Sequence, residues 1–266
     1  CKNMTRSENS LTSKIKSYWD HQPCGIKKGN GEIGTLEYFE SGSRTRYEVE
    51  PHVMDFAGFH EWRGKRVLEI GCGMGWDAVQ FAKHGADYTG IDISKKSIEL
   101  AKKQFKVYGL HGDLRVINMA DPEEIKQLEG DYDLVYSMGV IHHFPNIEQI
   151  IRNIHGLVAP GGEFRFMVYA KNSWKYTMIR KGLDQFEAQA DCPFAQAYTS
   201  TELYDLLENS FEILRLRQAH CFMYNIDMYK QGKLELEPWF EAMPELMRDA
   251  VKEYLGWHLL IKARKI

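Results

Sequence analysis

Between Lys65 and Ala170 short apolar runs alternate with stretches of helical periodicity, and this alternation restricts the fold more than any other feature of the chain. Residues 66–70, 88–93, 114–119, 133–138 and 163–169 read as strands, each apolar and closed by turn residues. Residues 76–83, a segment after Ser94, 122–128 and 147–157 read as helices. Their punctuation is chemical. Gly85 suits a helix stop, Ser94 an N-cap with Ile98, Ala101 and Phe105 on one face, and Asp121-Pro122 a helix start. Pro160-Gly161-Gly162 reads as the turn that closes helix 147–157. Strands that take turns with helices form a parallel sheet covered on both faces. Right-handed crossovers then wind the strands outward from the first in two directions, and ligands bind beyond the strand C-termini at the switch point.

Two further strands are expected near the C-terminus, at 211–216 and 257–263. The residues between them are too many for a hairpin, and helical patches such as 243–254 predict an inserted lid. The expected organisation is a helical and aromatic cap segment over 1–63, then one ligand-binding domain over 64–266. Lid insertions are expected at about 171–200 and 222–254. At 266 residues and net charge −3 the chain is long enough for a substantial core and carries no general attraction for nucleic acid or an anionic membrane. No apolar run is long enough to span a bilayer, and the polar start CKNMTRSENS has no signal-peptide core. Cys1, Cys24, Cys72, Cys192 and Cys221 include no C-x-x-C pair, so reduced thiols in a cytoplasmic protein are expected.

The first strand runs into Glu69-Ile70-Gly71-Cys72-Gly73-Met74-Gly75-Trp76. Glycines there let the backbone turn tightly and approach a ligand where a Cβ would collide. The dinucleotide fingerprint G-x-G-x-x-G is not met, because Trp76 stands where the third glycine belongs, and no lysine opens the helix as in a P-loop. A tight turn without ligand would explain this loop alone. It is joined by Gly90-Ile91-Asp92-Ile93-Ser94, whose Asp92 ends the second strand on the same side of the sheet. A carboxylate there suits both hydroxyls of a ribose, and Glu69 suits an ammonium group. Asp121 suits an adenine amino group and equally a helix N-cap.

These segments, with Asp133-Leu-Val-Tyr-Ser-Met-Gly-Val-Ile-His-His-Phe144, together resemble the class I S-adenosylmethionine (SAM)-dependent methyltransferases. The resemblance covers roughly 65–170 and is nearest to the small-molecule branch that includes ubiquinone- and menaquinone-biosynthesis enzymes. It implies a Rossmann-like, doubly wound α/β fold with a seven-stranded sheet in the order 3-2-1-4-5-7-6, the last strand antiparallel. It implies S-adenosyl-L-methionine as cofactor, held by Glu69, Gly71, Cys72, Gly73, Gly75, Asp92, Ile93, Ala120, Asp121, Ser137 and Met138. Family members often have glycine-aspartate where this chain has Ala120-Asp121. The motifs identify the methyl donor and leave the acceptor open. The (Asp/Asn)-Pro-Pro-aromatic segment of amino-methylating DNA enzymes is replaced by Ser137-Met138-Gly139-Val140, and the glutamate pair of arginine methyltransferases is missing. A small-molecule acceptor methylated on O, N, S or C is the expectation. A cofactor-modifying or cyclising enzyme on the same fold, and a non-catalytic SAM-binding subunit, are the alternatives.

If the acceptor carries a proton, a base is needed, and His142 and His143 after the fourth strand are the candidates. Packing histidines explain the pair equally well, and no third residue makes them a metal site. His143, Tyr169, Trp174, Tyr198 and Tyr224 are the candidate acceptor contacts, drawn from an aromatic-rich set that also includes Trp19, His220 and Tyr229. Arg44 and Arg46 suit either a substrate carboxylate or the solvated surface. A homodimer is compatible with all of this.

Overall fold

The computed structural model describes residues 6–186, 192–231 and 233–266. Three helices come first: α1 (Arg6–His21), α2 (Leu36–Val49) and α3 (His52–Ala57), followed by a 3-10 turn at Phe59–Trp62. The alternating region supplies β1 (Arg66–Ile70), α4 (Trp76–Lys83), β2 (Asp87–Asp92), α5 (Lys95–Tyr108), β3 (Asp113–Val116), α6 (Pro122–Ile125), β4 (Tyr132–Met138), α7 (Ile147–Leu157) and β5 (Val158–Ala170). Then come α8 (Trp174–Arg180), the two-residue β6 (Ala197–Tyr198), α9 (Ser200–Leu207), β7 (Phe211–Ala219), α10 (Ile226–Lys230), α11 (Pro238–Glu241), α12 (Glu245–Leu255) and β8 (His258–Lys265).

The sheet order is β3-β2-β1-β4-β5-β8-β7, with β6 paired to β5. β1 runs parallel to both neighbours, Val67 lying opposite Tyr88 on one side and Leu134 on the other. β8 is antiparallel to β5 and to β7. With the short β6 set aside, this is the order 3-2-1-4-5-7-6 with an antiparallel last strand. The period-two alternation of strand side chains sorts them onto two faces. Leu68, Ile70 and Val135 pack with α7 and α9 through Ile150, Ile151, Ile154, Leu203 and Leu207. Val67, Leu134 and Tyr136 pack with α3, α4 and α5 through Phe56, Phe81, Ile98 and Phe105.

The helix punctuation follows the residues. Ser94 Oγ accepts from Ser97 N–H, and Asp121 accepts from the N–H groups of Glu123 and Glu124. One expectation fails. Pro160-Gly161-Gly162 does not form a turn outside the sheet; it lies inside β5, which begins at Val158. Tyr132 pairs with Val158 but Leu134 pairs with Glu163, so β5 accommodates extra residues as a bulge, with Gly161 at φ 71°. A Pro-Gly-Gly run at a bulged strand start gives the same sequence signal as a turn.

α3 is tied to the sheet by Arg165 of β5, whose guanidinium donates to the carbonyls of Phe56 (3.2 Å) and Ala57 (3.0 Å) and pairs with Glu61 (2.6 Å). The lid expected at 171–200 includes 187–191, which lie outside the described residues; the stretch 222–254 holds α10, α11 and α12. Cys24, Cys72, Cys192 and Cys221 are free thiols, and Cys1 lies outside the described residues. Among the described residues no helix is long and apolar enough to cross a membrane.

Candidate active site

A cavity of about 260 Å³ opens at the carboxyl edge of the sheet. Its floor is the loop after β1. Gly71 and Cys72 donate their N–H groups to the Ile91 carbonyl at 2.7 and 3.0 Å, which binds the loop to β2. Gly73 N–H donates to Asp92 Oδ2 at 2.9 Å, and Ser94 N–H donates to Asp92 Oδ1 at 2.8 Å. The carboxylate that ends β2 thus holds the glycine loop in place. The two glycines have different reasons to be glycine. A Cβ on Gly71 would lie 2.3 Å from Val140 Cγ2, inside a packed contact. A Cβ on Gly73, at φ 54°, would meet nothing within 4 Å, because that residue faces the cavity.

Two carboxylates line this end. Glu69 is buried and accepts from Tyr88 Oη at 2.6 Å. Burial, and next the Asp77 charge, push its carboxyl well above the usual range. Burial likewise raises Asp92 to about 6, against the opposing pull of the Ser94 and Gly73 donors. Both sites therefore favour a ligand that returns hydrogen bonds or positive charge to a desolvated carboxyl. α1 covers them: Thr12, Ile15 and Trp19 line the cavity, and Ser94 Oγ donates to Asp20 Oδ1 at 2.8 Å. Trp76, also on the lining, carries a buried indole N–H with no partner. An open glycine cradle, two desolvated carboxyls and an orphaned donor fit an adenosyl ligand with an amino-acid end.

Asp77, in the first turn of α4, anchors the next layer. It accepts from Arg46 Nη2 (3.2 Å), Tyr47 Oη (3.0 Å) and Tyr136 Oη (3.0 Å). Arg46 is therefore a buried ion-pair partner of Asp77 and Glu50, whereas Arg44 is exposed. Desolvation costs of this kind are tolerated only when every member is paired, as here.

Of the sequence candidates, Glu69, Gly71, Cys72, Gly73, Asp92, Ile93, Met138, His143 and Tyr169 line the cavity. The others lie behind or beside it. Gly75 packs on α5, where a Cβ would come 3.3 Å from Ala101 Cβ. Ser137 Oγ donates to the Ile70 carbonyl at 3.2 Å, Asn118 Oδ1 accepts from Ala120 N–H at 3.0 Å, and Asp121 caps α6. Just before Ala120 and Asp121 in the chain, Ile117 and Met119 line the cavity. His142 is fully buried against Tyr169, ring centroids 3.9 Å apart, and neither ring nitrogen has a hydrogen-bond partner. Trp174 packs on Trp239, Tyr198 is buried beneath β5, and Tyr224 stacks on Tyr229.

The far end is aromatic. Tyr169 stacks on Trp257 at 4.2 Å, and Trp19, Phe186, Phe222 and Tyr229 complete the wall. His143 meets Trp19 edge-on at 5.4 Å, and its Nδ1 lies 2.8 Å from the Phe194 carbonyl. Lys175, buried and paired with Asp184 at 3.3 Å, sits 3.9 Å above the Phe222 ring. Lys28, Glu50, His220 and His258 also reach the lining. Sequence reasoning assigned no role to Lys28, Glu50, Phe186, Lys175, Phe222, Trp257 or His258, which belong to no motif; their only signal was the aromatic texture of the two flanking regions.

The sequence profile of the methyltransferase domain family matches residues 42–226. The ubiquinone biosynthesis O-methyltransferase of Chromobacterium violaceum is 32% identical over 146 residues, 54% of this chain and 62% of that protein. Its counterpart in Bordetella avium is 37% identical over 122 residues, 45% of this chain and 48% of that protein. The matched span thus covers about half to three-fifths of these relatives' length. Among solved structures, magnesium protoporphyrin IX methyltransferase from Synechocystis PCC 6803 superposes with a TM-score of 0.60 at 18% identity, over 96% of this chain and 100% of that one. A [4+2]-cyclase superposes at 0.55 with 17% identity, over 97% of this chain and 94% of that one. With the profile spanning most of the chain and the sheet order and glycine loop in agreement, the chain belongs to the methyltransferase domain family, the class I enzymes that use S-adenosylmethionine.

Proposed function

We propose that this protein transfers the methyl group of SAM to a hydroxyl of a small planar molecule held at the aromatic end of the cavity. The observation that carries the reading is continuity: one cavity joins the Gly73–Asp92 cradle to His143, Tyr169 and Trp257. Stacked and edge-on rings suit a planar body. The O-methyltransferase names of the relatives are consistent with an oxygen acceptor.

When bound, SAM supplies an electrophilic methyl group on a sulfonium. Glu69 and Asp92 would hold its polar ends, with Gly73 leaving the space between. The remaining work is positioning and the exclusion of water. Trp19 of α1 covers the cavity from above, and Phe186 and Phe222 close the acceptor side. His143 provides the base. Its Nδ1–H donates to the Phe194 carbonyl, which makes Nε2 the proton-accepting nitrogen. A hydroxyl that loses its proton to Nε2 as its oxygen bonds the methyl carbon would displace the sulfur, the carbon–sulfur bond breaking to leave a neutral ether, S-adenosylhomocysteine and imidazolium.

The test is transfer of label from methyl-labelled SAM to a panel of phenols, catechols and aliphatic alcohols, with aromatic amines as controls. Label on a phenolic or catecholic oxygen is the expected result. His143→Gln should then lower kcat about 10²- to 10⁴-fold with little change in SAM affinity. Tight SAM binding with no transfer to any acceptor would replace this reading with a cyclising or cofactor-modifying one.

A further inference from the structure

Glu50 follows α2, His220 follows β7 and His258 opens β8, so three distant parts of the chain meet at one place. One ligand atom from each lies within 4.8 Å of the other two. All three residues line the cavity. Two imidazoles and a carboxylate on one side of an open space are a donor set for a first-row divalent metal that keeps free coordination positions.

The surroundings are built as a metal site requires. His258 Nδ1 and His52 Nε2 are 2.9 Å apart, so the His258 ring is held by a hydrogen bond from outside the cluster. Such outer partners set the tautomer and aim the other nitrogen. His220 adopts φ 59°; among the described residues only Asp131 shares a positive φ without being glycine. That conformation is unfavourable for a side chain and is retained where surrounding structure requires it. Here Trp257 N–H donates to the His220 carbonyl at 2.9 Å, which fixes the turn that presents the ring. Lys28 and Arg46 both pair with Glu50 Oε2, which holds the carboxylate in place.

We propose that Glu50, His220 and His258 bind a first-row divalent metal ion of the zinc class, with open coordination positions facing the cavity. Its placement at the acceptor end rests on the function proposed above, whereas the existence of the site does not. His52 is a positioning residue for His258.

The full chain, freed of metal with a chelator, is titrated with Co²⁺ as a spectroscopic probe and with Zn²⁺ by calorimetry. One equivalent of Co²⁺ should give a visible absorption band that Zn²⁺ abolishes. His220→Ala and Glu50→Gln should each weaken Zn²⁺ binding at least about 100-fold, and His52→Ala about tenfold with stoichiometry unchanged. Circular dichroism and binding of S-adenosylhomocysteine are measured on every variant. A folded variant that binds S-adenosylhomocysteine normally but has lost the metal supports the site. Absence of a Co²⁺ band and of Zn²⁺ heat in the folded wild type overturns it, as does unchanged Zn²⁺ affinity in folded His220→Ala. Metal binding without methyl transfer would leave the site standing and remove the proposed function.

Discussion

Asp92→Asn separates the two things this carboxylate does. The side chain accepts from Gly73 N–H and Ser94 N–H, one on each oxygen. Asparagine keeps the shape and one acceptor, but its amide NH₂ must face the other N–H donor. Losing one charge-assisted hydrogen bond costs about 1.5–3 kcal/mol. Set against this is the cost of ionising a buried carboxyl, which lifts Asp92 to about 6 from 3.8; that is on the order of 3 kcal/mol. The sign follows from linkage. Because the folded-state value is raised, Asp92 contributes most to stability below pH 4 and that contribution is lost as pH rises through about 6. The neutral variant lacks this slope. That rise is already net of the Gly73 and Ser94 donors, so at pH 8 the neutral variant should be at least as stable as wild type and its Tm should not fall. Affinity for S-adenosylhomocysteine has no such offset. The ribose loses an acceptor and the Gly73 cradle loses its tether, so Kd should rise about 10- to 100-fold. Calorimetry with S-adenosylhomocysteine and thermal melts between pH 4 and 8 read both quantities. An affinity within twofold of wild type would refute the ribose assignment. A Tm loss above about 10 °C at pH 8 would refute the claim that the buried charge is costly.

The glycine loop offers a paired comparison. Gly71→Ala puts a methyl group 2.3 Å from Val140 at φ 73° and should destabilise the fold by at least about 2 kcal/mol in urea titrations. Gly73→Ala meets no atom, so it should cost only about 1 kcal/mol of stability while weakening S-adenosylhomocysteine binding more than tenfold. Asp77→Ala strips the shared acceptor from Arg46, Tyr47 and Tyr136 and should cost about 3–5 kcal/mol, against about 1 kcal/mol for Tyr136→Phe. His142→Phe replaces a buried ring whose nitrogens have no partner, so stability should stay within about 1 kcal/mol or rise, with methyl transfer retained. A tenfold loss of kcat there would return His142 to the list of bases.

What was legible in the sequence is what local chemistry determines. The first four strands and the helices between them follow from periodicity closed by particular residues: Ser94, Asp121-Pro122 and the glycines at 71 and 73 each do in the structure the job their chemistry suggests. The meeting of Glu69, Gly73 and Asp92 was legible for the same reason, since Glu69 and Gly73 lie at and just beyond the end of β1, Asp92 ends β2, and parallel pairing places these ends together. Pro160-Gly161-Gly162 was misread because a bulged strand start and a turn use the same residues. The acceptor half is of another kind. Its residues come from α2, from the link after α8 and from the β7–β8 end, and only the antiparallel return of β8 between β5 and β7 brings Trp257 and His258 beside Tyr169.

That return also accounts for the histidines that local reasoning favoured and those it missed. The His142 and His143 rings lie 4.3 Å apart; His142 is buried against Tyr169, while His143 lines the cavity. His220 and His258 are far apart in sequence, yet Ala219 and His258 are paired across β7 and β8, and the two rings lie 4.7 Å apart. What distinguishes the second pair is that both of its rings line the cavity together with Glu50, whereas of the first pair only His143 does.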